Sequence, residues 1–203
     1  RFAWQPADPA YAARLGITGK FVAAYVGTHG MAHGLDTLLD AAELLRNRED
    51  IVILTAGDGA ERQRLAESAQ RRGLSNLVML GQLPKEEMPR LWANSDISLV
   101  LLKRLDLFHT VIPSKIFESM AMKKPMVLGV QGEAARIVTA AGAGICIEPE
   151  NAEELAAAIS RLADDTVLYS QLAESSLHYV QEHYDRRHLA ARFESVLQSL
   201  QVQ

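Results

Sequence analysis

The feature that most constrains the fold is an alternation of short apolar runs with amphipathic stretches along nearly the whole chain. Each run has the length and composition of a buried strand, and segments of helical period separate the runs. Apolar strands that alternate with helices are typical of a parallel sheet covered on both faces. The predicted strands are residues 21–26, 51–56, 76–80, 97–102, 125–130 and 144–148. The sequence therefore predicts an α/β, doubly wound, six-stranded parallel sheet.

The segments between the strands carry helix signals. Gly16 ends a short helical stretch in the lead-in, and Pro84 begins a helix over 85–93. Asn151 and Glu154 have the spacing of a capping box before another helix. Further helices are predicted at about 35–45, 60–72, 113–121, 134–141, 167–184 and 186–200, the last two capped by Asp165 and Asp185. Residues 1–20 are interpreted as a lead-in or linker, and residues 21–203 as one domain.

Composition and charge exclude several function classes. The 203 residues are 48% hydrophobic and carry a formal net charge of -4, without the basic footprint of a nucleic-acid-binding protein. The single cysteine, Cys146, excludes a disulfide framework, and its neighbours predict a small buried residue in a strand. No apolar run reaches membrane-spanning length and no signal peptide is visible, so we expect a cytoplasmic location, with any membrane association made through a half absent from this chain. Because the chain begins with Arg1, we expect it to be a piece of a longer protein.

The segment after the fourth predicted strand is the strongest candidate for a binding site. Pro113 pre-sets a first helical turn, and the helix it begins would point its free N–H groups, near Ile112 to Lys115, at the carboxyl edge of the sheet. Such a helix start binds phosphate. Lys115 adds a cation, and Glu118 is an acceptor suited to sugar hydroxyls.

Helical spacing divides this helix into two faces. Ile116, Phe117, Met120 and Ala121 are predicted to face the sheet, with Ser114, Lys115, Glu118 and Ser119 on the other side. A solvated Lys115–Glu118 pair on the helix surface is the simpler alternative. The position after a strand favours ligand binding.

The loop after the first strand, residues 27–34, contains three glycines, which let a backbone pass close to a ligand. A tight turn without a ligand explains the same residues equally well. The loop has neither the G-x-G-x-x-G pattern nor a following Gly-Lys-Ser/Thr, which disfavours dinucleotide and P-loop sites. His29 and His33 are four residues apart, but glycines interrupt the helix and no third ligand stands nearby. They are interpreted as solvent-facing loop residues, and the site is predicted to need no metal and no cofactor.

Three further loops follow predicted strands. Gly57-Asp58-Gly59 is either a ligand loop or a capped turn, and the peptide groups of Gly81-Gln82-Leu83 are placed to recognise a base. Gly132-Glu133 follows the fifth strand. Because the carboxyl ends of parallel strands lie at one edge, we expect these loops to converge there.

Several motifs occur in a set order along the chain. They are Tyr25-Val26-Gly27-Thr28, Gly34 to Ala41, Leu54 to Gly59, Val78 to Gly81, Pro113 to Ala121, Lys124 to Val127 and Gly142 to Ile145. Together these segments resemble the donor half of glycosyltransferase family 4. The resemblance covers roughly residues 20–200, and 113–127 is its most specific part. It implies a Rossmann-like half of a retaining enzyme of the glycosyltransferase B-type fold, in which two such halves enclose a cleft.

The resemblance also implies roles for individual positions. Glu118 matches the second glutamate of the family's Glu-x7-Glu pattern, which holds the ribose, and Thr110 stands where the first glutamate usually touches the donor sugar. Thr28 and His33 occupy the positions of the usual arginine and lysine, and Lys115 is interpreted as the substitute cation. The diphosphate set is Gly27, Thr28, Gly30, His33, Ile112, Pro113, Ser114 and Lys115. The base set is Gly81, Gln82 and Leu83, and the donor-sugar set is Thr110, Gly132 and Glu133.

The resulting hypothesis is the donor-binding domain of a retaining glycosyltransferase in cell-surface polysaccharide or lipopolysaccharide synthesis. Its expected partners are a nucleotide-diphospho-sugar as substrate, an N-terminal acceptor-binding domain absent from this chain, and an acceptor glycan or lipid-linked sugar. Lys115 and His33 are expected to stabilise the leaving group, and this chain alone is expected to be inactive. The alternatives are a nucleotide-sugar epimerase or phosphorylase of the same fold and a non-catalytic binding module.

Overall fold

The computed structural model describes residues 4–184 and residues 190, 193–194 and 197–198. Within residues 4–184 it contains six strands, eight α-helices and two 3₁₀ turns. The strands are β1 (Phe21–Val26), β2 (Ile51–Ala56), β3 (Leu77–Met79), β4 (Ile97–Leu101), β5 (Met126–Gly129) and β6 (Gly144–Cys146). The helices are α1 (Pro9–Leu15), α2 (Asp36–Leu44), α3 (Arg62–Arg71), α4 (Met88–Ala93), α5 (Lys115–Ala121), α6 (Glu133–Ala140), α7 (Ala152–Asp164) and α8 (Thr166–Tyr184). The 3₁₀ turns are Met31–His33 and Asp106–Thr110.

All six strands form one parallel sheet in the order β3-β2-β1-β4-β5-β6. The predicted doubly wound α/β fold is therefore confirmed. The order reverses between β1 and β4, and open sheets of this kind bind ligands at such a switch point, outside the carboxyl ends of the strands.

Helices cover the sheet on both faces, so its central strands are buried throughout. All residues of β2, β4 and β5 are buried. One face packs against α2, α3 and α7, and the other against α1, α4, α5 and α6. Asn151 caps α7 by accepting the amide of Glu154 at 3.0 Å, as the capping-box spacing predicts.

The lead-in also packs into the fold. Asp8 caps α1, and Gly16 ends it in the left-handed conformation, so the predicted short helix is confirmed. Tyr11 and Ile17 are buried in the same cluster as residues of β1 and β2.

Element ends differ from prediction by a few residues in several places. The structure starts α4 at Met88 rather than Lys85, because Pro89 at its first turn provides the helix start that was assigned to Pro84. It starts α5 at Lys115, two residues after Pro113. The predicted loop after β4 contains the 3₁₀ turn Asp106–Thr110. The predicted last helix, 186–200, and its cap Asp185 fall largely outside the described residues.

The burial predicted for Cys146 is wrong, since its side chain is exposed. The cause is topological, because β6 lies at an edge of the sheet and only β5 pairs with it. Among the described residues, no helix is both long and apolar enough to cross a membrane.

Candidate functional site

The loops that follow the strands lie side by side along the carboxyl edge of the sheet. From the β3 side to the β6 side of that edge, the loops are residues 80–87, 57–61, 27–35, 102–114, 130–132 and 147–151. The predicted convergence of glycine loops is thus confirmed. Neighbouring strands are about 4.8 Å apart, so a ligand that spans several loops contacts residues far apart in sequence.

The first three of these loops are joined by main-chain hydrogen bonds. The amide of Gly27 donates to Ala56 O at 2.9 Å, and that of Gly57 donates to Gly81 O at 2.8 Å. The amide of His29 donates to Asp58 O at 2.9 Å. Because backbone groups hold these loops, their shape depends little on side-chain rotamers.

Lys115 extends from the start of α5 to the loop after β1. Its Nζ lies 4.2 Å from the centre of the Tyr25 ring and 2.8 Å from the place that a Cβ on Gly27 would take. Gly27 has φ +152°, so both its backbone conformation and this close approach favour glycine. The hydroxyl of Tyr25 donates to Thr28 O at 2.8 Å and keeps the ring beneath the ammonium.

The ammonium of Lys115 is buried without a hydrogen-bond partner among the described residues. Burial lowers the pKa of Lys115 to about 8, and the charge of Glu118 partly offsets that effect. An ammonium out of contact with water is stabilised by an anion or loses its proton. The site can therefore bind an anion, and Glu118, which is half-buried, lies near enough to influence it.

The prediction that the loop histidines face solvent is wrong for His29. Its side chain is 1% exposed, because the 57–61 loop packs over it and the amide of Glu61 donates to its carbonyl at 2.9 Å. Burial, and then the charge of Arg62, lower the pKa of His29. His33 is half-buried.

His33 faces the exit of β4. Its Nδ1 lies 3.4 Å from Leu101 O, and since a carbonyl only accepts, Nδ1 carries the proton. Burial lowers the pKa of His33, and the charge of Lys115 lowers it further. A lowered pKa favours the neutral form of His33, so Lys115 provides the positive charge between the two loops.

The predicted exposure of Ser119 on α5 is also wrong. Its Oγ lies 2.7 Å from Lys115 O and 2.7 Å from Ser98 Oγ in β4. The carbonyl only accepts, so Ser119 donates to Lys115 and accepts from Ser98. Ile116 and Met120 are buried as predicted, and Phe117 is half-buried. This pair of hydroxyls ties the first turn of α5 to the sheet.

On the base side, Gly81 is buried with φ +72°, Gln82 is exposed and Leu83 is half-buried. The sequence analysis overlooked Arg62, whose guanidinium lies 2.8 Å from the place of a Cβ on Gly81. Arg62 is exposed and forms no ion pair within the described part of the chain. Arg62 could have been identified from the sequence, because it closely follows the candidate ligand loop Gly57-Asp58-Gly59.

On the sugar side, Thr110 is exposed at the end of its 3₁₀ turn, and Gly132 lies directly against the carbonyl of His109. Glu133 forms an ion pair with Arg136 one turn along α6. The structure therefore brings Thr110 and Gly132 to neighbouring loops. Of the remaining predicted residues, Thr28, Ile112 and Ser114 are exposed, and Gly30 and Pro113 are half-buried.

Comparisons with known proteins bear on the family and the fold of the chain. A family model described as glycosyl transferases group 1 matches residues 9–178. The chain is 32% identical over 143 residues to a protein of Escherichia coli (strain K12) assigned to colanic acid biosynthesis as glycosyl transferase WcaI. That similarity covers 69% of this chain and 35% of WcaI, so the chain spans about a third of that relative.

Two solved structures have the same fold. Anabaena HepE, solved in complex with UDP and glucose, is 22% identical with a TM-score of 0.81 over 98% of this chain and 54% of HepE. The C-terminal domain of LpcC, a glycosyl transferase group 1 family protein from Francisella tularensis, is 19% identical with a TM-score of 0.76. That match covers 91% of this chain and 96% of the LpcC domain.

Proposed function

Since the chain belongs to the glycosyl transferases of group 1, we propose that it is the donor-binding domain of a retaining glycosyltransferase. Its substrate is a nucleoside-diphosphate sugar, for which the UDP and glucose bound to HepE are the closest analogy among the structures above. The remainder of the longer protein contributes an acceptor-binding N-terminal domain. Its acceptor is a glycan or lipid-linked sugar in cell-surface polysaccharide assembly, and the similarity to WcaI, a protein of colanic acid biosynthesis, supports the biosynthetic setting.

The observation that carries this proposal is the unpartnered ammonium of Lys115 against Gly27 at the switch point. A diphosphate bound between the loops after β1 and β4 supplies the anion that this ammonium lacks. The peptide groups near Ile112–Lys115 lie at the start of α5, where no side chain caps the helix, and they add donors there. Lys115 is therefore assigned to the diphosphate.

In the proposed mechanism, the bond between the anomeric carbon and the diphosphate breaks, the acceptor oxygen bonds to the same face of the sugar, and the proton of the acceptor hydroxyl passes to the leaving diphosphate. Negative charge then grows on the leaving diphosphate. Groups that are already oriented toward this charge lower the barrier without reorganising. Lys115 carries most of this role, and His33 contributes once it has taken up a proton.

The other predicted residues are assigned along the edge from β3 to β5. Gly81, Gln82 and Leu83 contact the base, and Glu118 holds the ribose. Thr110, Gly132 and Glu133 line the donor sugar. Gly27, Thr28 and Gly30 border the diphosphate through their backbone.

The free-energy contributions expected from these groups predict that this chain alone binds the nucleotide weakly. A helix start contributes about 0.3–1 kcal/mol and a charged hydrogen bond about 1.5–3 kcal/mol. A total near 4 kcal/mol corresponds to a Kd of about 1 mM. We expect no sugar transfer by this chain, because the acceptor site belongs to the other domain.

Titration with UDP, GDP and ADP, monitored by amide chemical shifts, tests the proposal. We expect shifts confined to residues 27–34, 57–62, 81–83 and 109–118, with one nucleotide preferred. Inorganic sulfate at equal ionic strength serves as the control for simple anion binding. No response to any of the three nucleotides contradicts the proposed function.

A further inference from the structure

Four side chains form a continuous hydrogen-bonded chain on the sugar side of the site. Arg104 donates to Glu148 Oε2 at 3.2 Å, and Gln131 Nε2 donates to the same oxygen at 2.9 Å. Gln131 Oε1 lies 3.1 Å from His109 Nε2. These residues follow three neighbouring strands, β4, β5 and β6.

The chemistry of this chain determines the proton position on His109. An ionised carboxylate only accepts, so the amide nitrogen of Gln131 faces Glu148 and its oxygen faces His109. That oxygen also only accepts, so His109 carries its proton on Nε2. Its Nδ1 is then a hydrogen-bond acceptor, and it has no partner among the described residues.

The backbone holds His109 against the next loop. Gly132 has φ +76°, and a Cβ there would lie 2.0 Å from His109 O. The loops after β4 and β5 therefore touch at His109. The side-chain network itself is exposed, with Arg104 and Glu148 side chains 59% and 51% accessible, and exposed ion pairs of this kind add little stability. Its most evident consequence is a fixed orientation of the His109 ring.

Its contact with Gly132, in the loop after β5, places His109 on the side of the proposed diphosphate site that is opposite the base loops. Lys115 and Gly27 mark the β1–β4 switch point, and the 81–83 loop lies on the β3 side of it. The loop after β5 lies on the other side, one strand spacing of about 4.8 Å past β4. A nucleotide sugar laid along this edge brings its sugar to His109.

We propose that His109 Nδ1 accepts a hydrogen bond from one hydroxyl of the donor sugar and so determines which sugars bind. Gln131, Glu148 and Arg104 are positioning residues that hold the ring in the accepting tautomer. This inference rests on the proposed function, because it requires a nucleotide sugar at the carboxyl edge.

The test compares UDP with UDP-glucose and UDP-N-acetylglucosamine on the full chain and on His109→Ala. A neutral hydrogen bond predicts a loss of about threefold to tenfold in the affinity for the better-bound sugar nucleotide, with UDP unchanged. Equal losses for UDP and the sugar nucleotide, or no loss, overturn the inference and leave the proposed function standing. Failure of UDP and both sugar nucleotides to bind the unaltered chain overturns both.

Deoxyfluoro derivatives identify the hydroxyl. Fluorine cannot donate, so UDP-glucose fluorinated at the contacted position should bind the unaltered chain and His109→Ala equally. If every derivative still distinguishes the two proteins, the contact is not a donated hydroxyl.

The positioning role has a spectroscopic test. Long-range ¹H–¹⁵N correlation should show His109 protonated at Nε2 in the unaltered chain and a mixture of tautomers in Gln131→Leu. We expect Gln131→Leu to weaken the binding of the sugar nucleotide about twofold to fivefold without affecting the binding of UDP. Asn151→Ala, which alters a nearby helix cap, is the matched control and should leave the tautomer unchanged. Protonation at Nδ1 in the unaltered chain overturns the inference.

Discussion

The two buried ammonium groups beside α5 lie at opposite edges of the sheet. At the amino edge, Lys124 is 7% exposed and Asp96 lies close enough for its charge to oppose the lowering of the Lys124 pKa by burial. Asp96 is itself held by the amide of Val22 at 2.7 Å. At the carboxyl edge, the Lys115 ammonium has no hydrogen-bond partner among the described residues.

The arginines repeat this difference. Arg48, just before β2, bonds both Asp50 and Asp164 at the amino edge. Arg62, at the other edge, has no ion pair within the described residues. The amino edge thus supplies partners for Lys124 and Arg48, whereas at the carboxyl edge the Lys115 ammonium has no hydrogen-bond partner and Arg62 has no ion pair among the described residues. An internal counter-charge offsets part of the cost of burying a charge, whereas an unmatched buried charge reduces stability and favours a bound anion.

Exchange of the two lysines for methionine should separate stability from binding. We expect Lys115→Met to weaken UDP about 10- to 100-fold, because a charged hydrogen bond contributes about 1.5–3 kcal/mol, and to leave the chain at least as stable. Lys124→Met should lower stability by about 1–3 kcal/mol, because Asp96 loses its counter-charge, with the Kd for UDP unchanged. Amide-shift titration and urea unfolding measure the two quantities. If both variants changed the Kd for UDP equally, the two edges of the sheet would not differ in ligand binding.

Unfolding as a function of pH tests the burial of Lys115 directly. Its pKa is about 8 in the folded chain, against an ordinary value of 10.5. Between these values the unfolded chain binds more protons, so the stability of the unaltered chain rises with pH. The advantage of Lys115→Met should therefore be complete below pH 8 and lost by pH 10.5, with a size of about 1–3 kcal/mol. If the difference in unfolding free energy between Lys115→Met and the unaltered chain stays constant from pH 7 to pH 10.5, this account is contradicted.

The Ser98–Ser119 contact should link the first turn of α5 to the site. Ser119→Ala leaves the buried Ser98 hydroxyl without its partner and should cost about 1 kcal/mol in urea unfolding. It should also weaken UDP binding about twofold, since it removes the side-chain hydrogen bond to Lys115 O. Ser176→Ala, in which a buried hydroxyl bonds one turn back within α8, is the matched control and should leave UDP binding unchanged. A similar UDP effect in both variants would show that stability alone is responsible.

Small effects are also expected at Arg62 and Arg48. Arg62→Gln should weaken UDP about twofold to fivefold, and Arg48→Gln should lower stability by about 0.2–1 kcal/mol. Raising the salt concentration should reduce the first effect, because Arg62 is exposed. A loss of UDP binding in Arg48→Gln would place a ligand at the amino edge instead.

Much of the fold and part of the site could be predicted from sequence. The strands were predictable because apolar runs of strand length report burial locally, and the parallel sheet implied that residues 27–34, 81–83 and 113–118 meet. The burial of His29 was not predictable, because it depends on the 57–61 loop packing over it. The exposure of Cys146 depends on which strand ends the sheet.

The sequence by itself determined the alternation of strands and helices, because hydrophobic periodicity is a local property of the chain. It thereby determined the edge of the sheet at which we propose that a ligand binds. Only the tertiary structure decided which charges are matched there. Whether Lys115 finds a carboxylate, and whether Gln131 and Glu148 orient His109, depends on distances between segments that are remote in sequence. Those distances follow from the order of the strands, which no local pattern encodes.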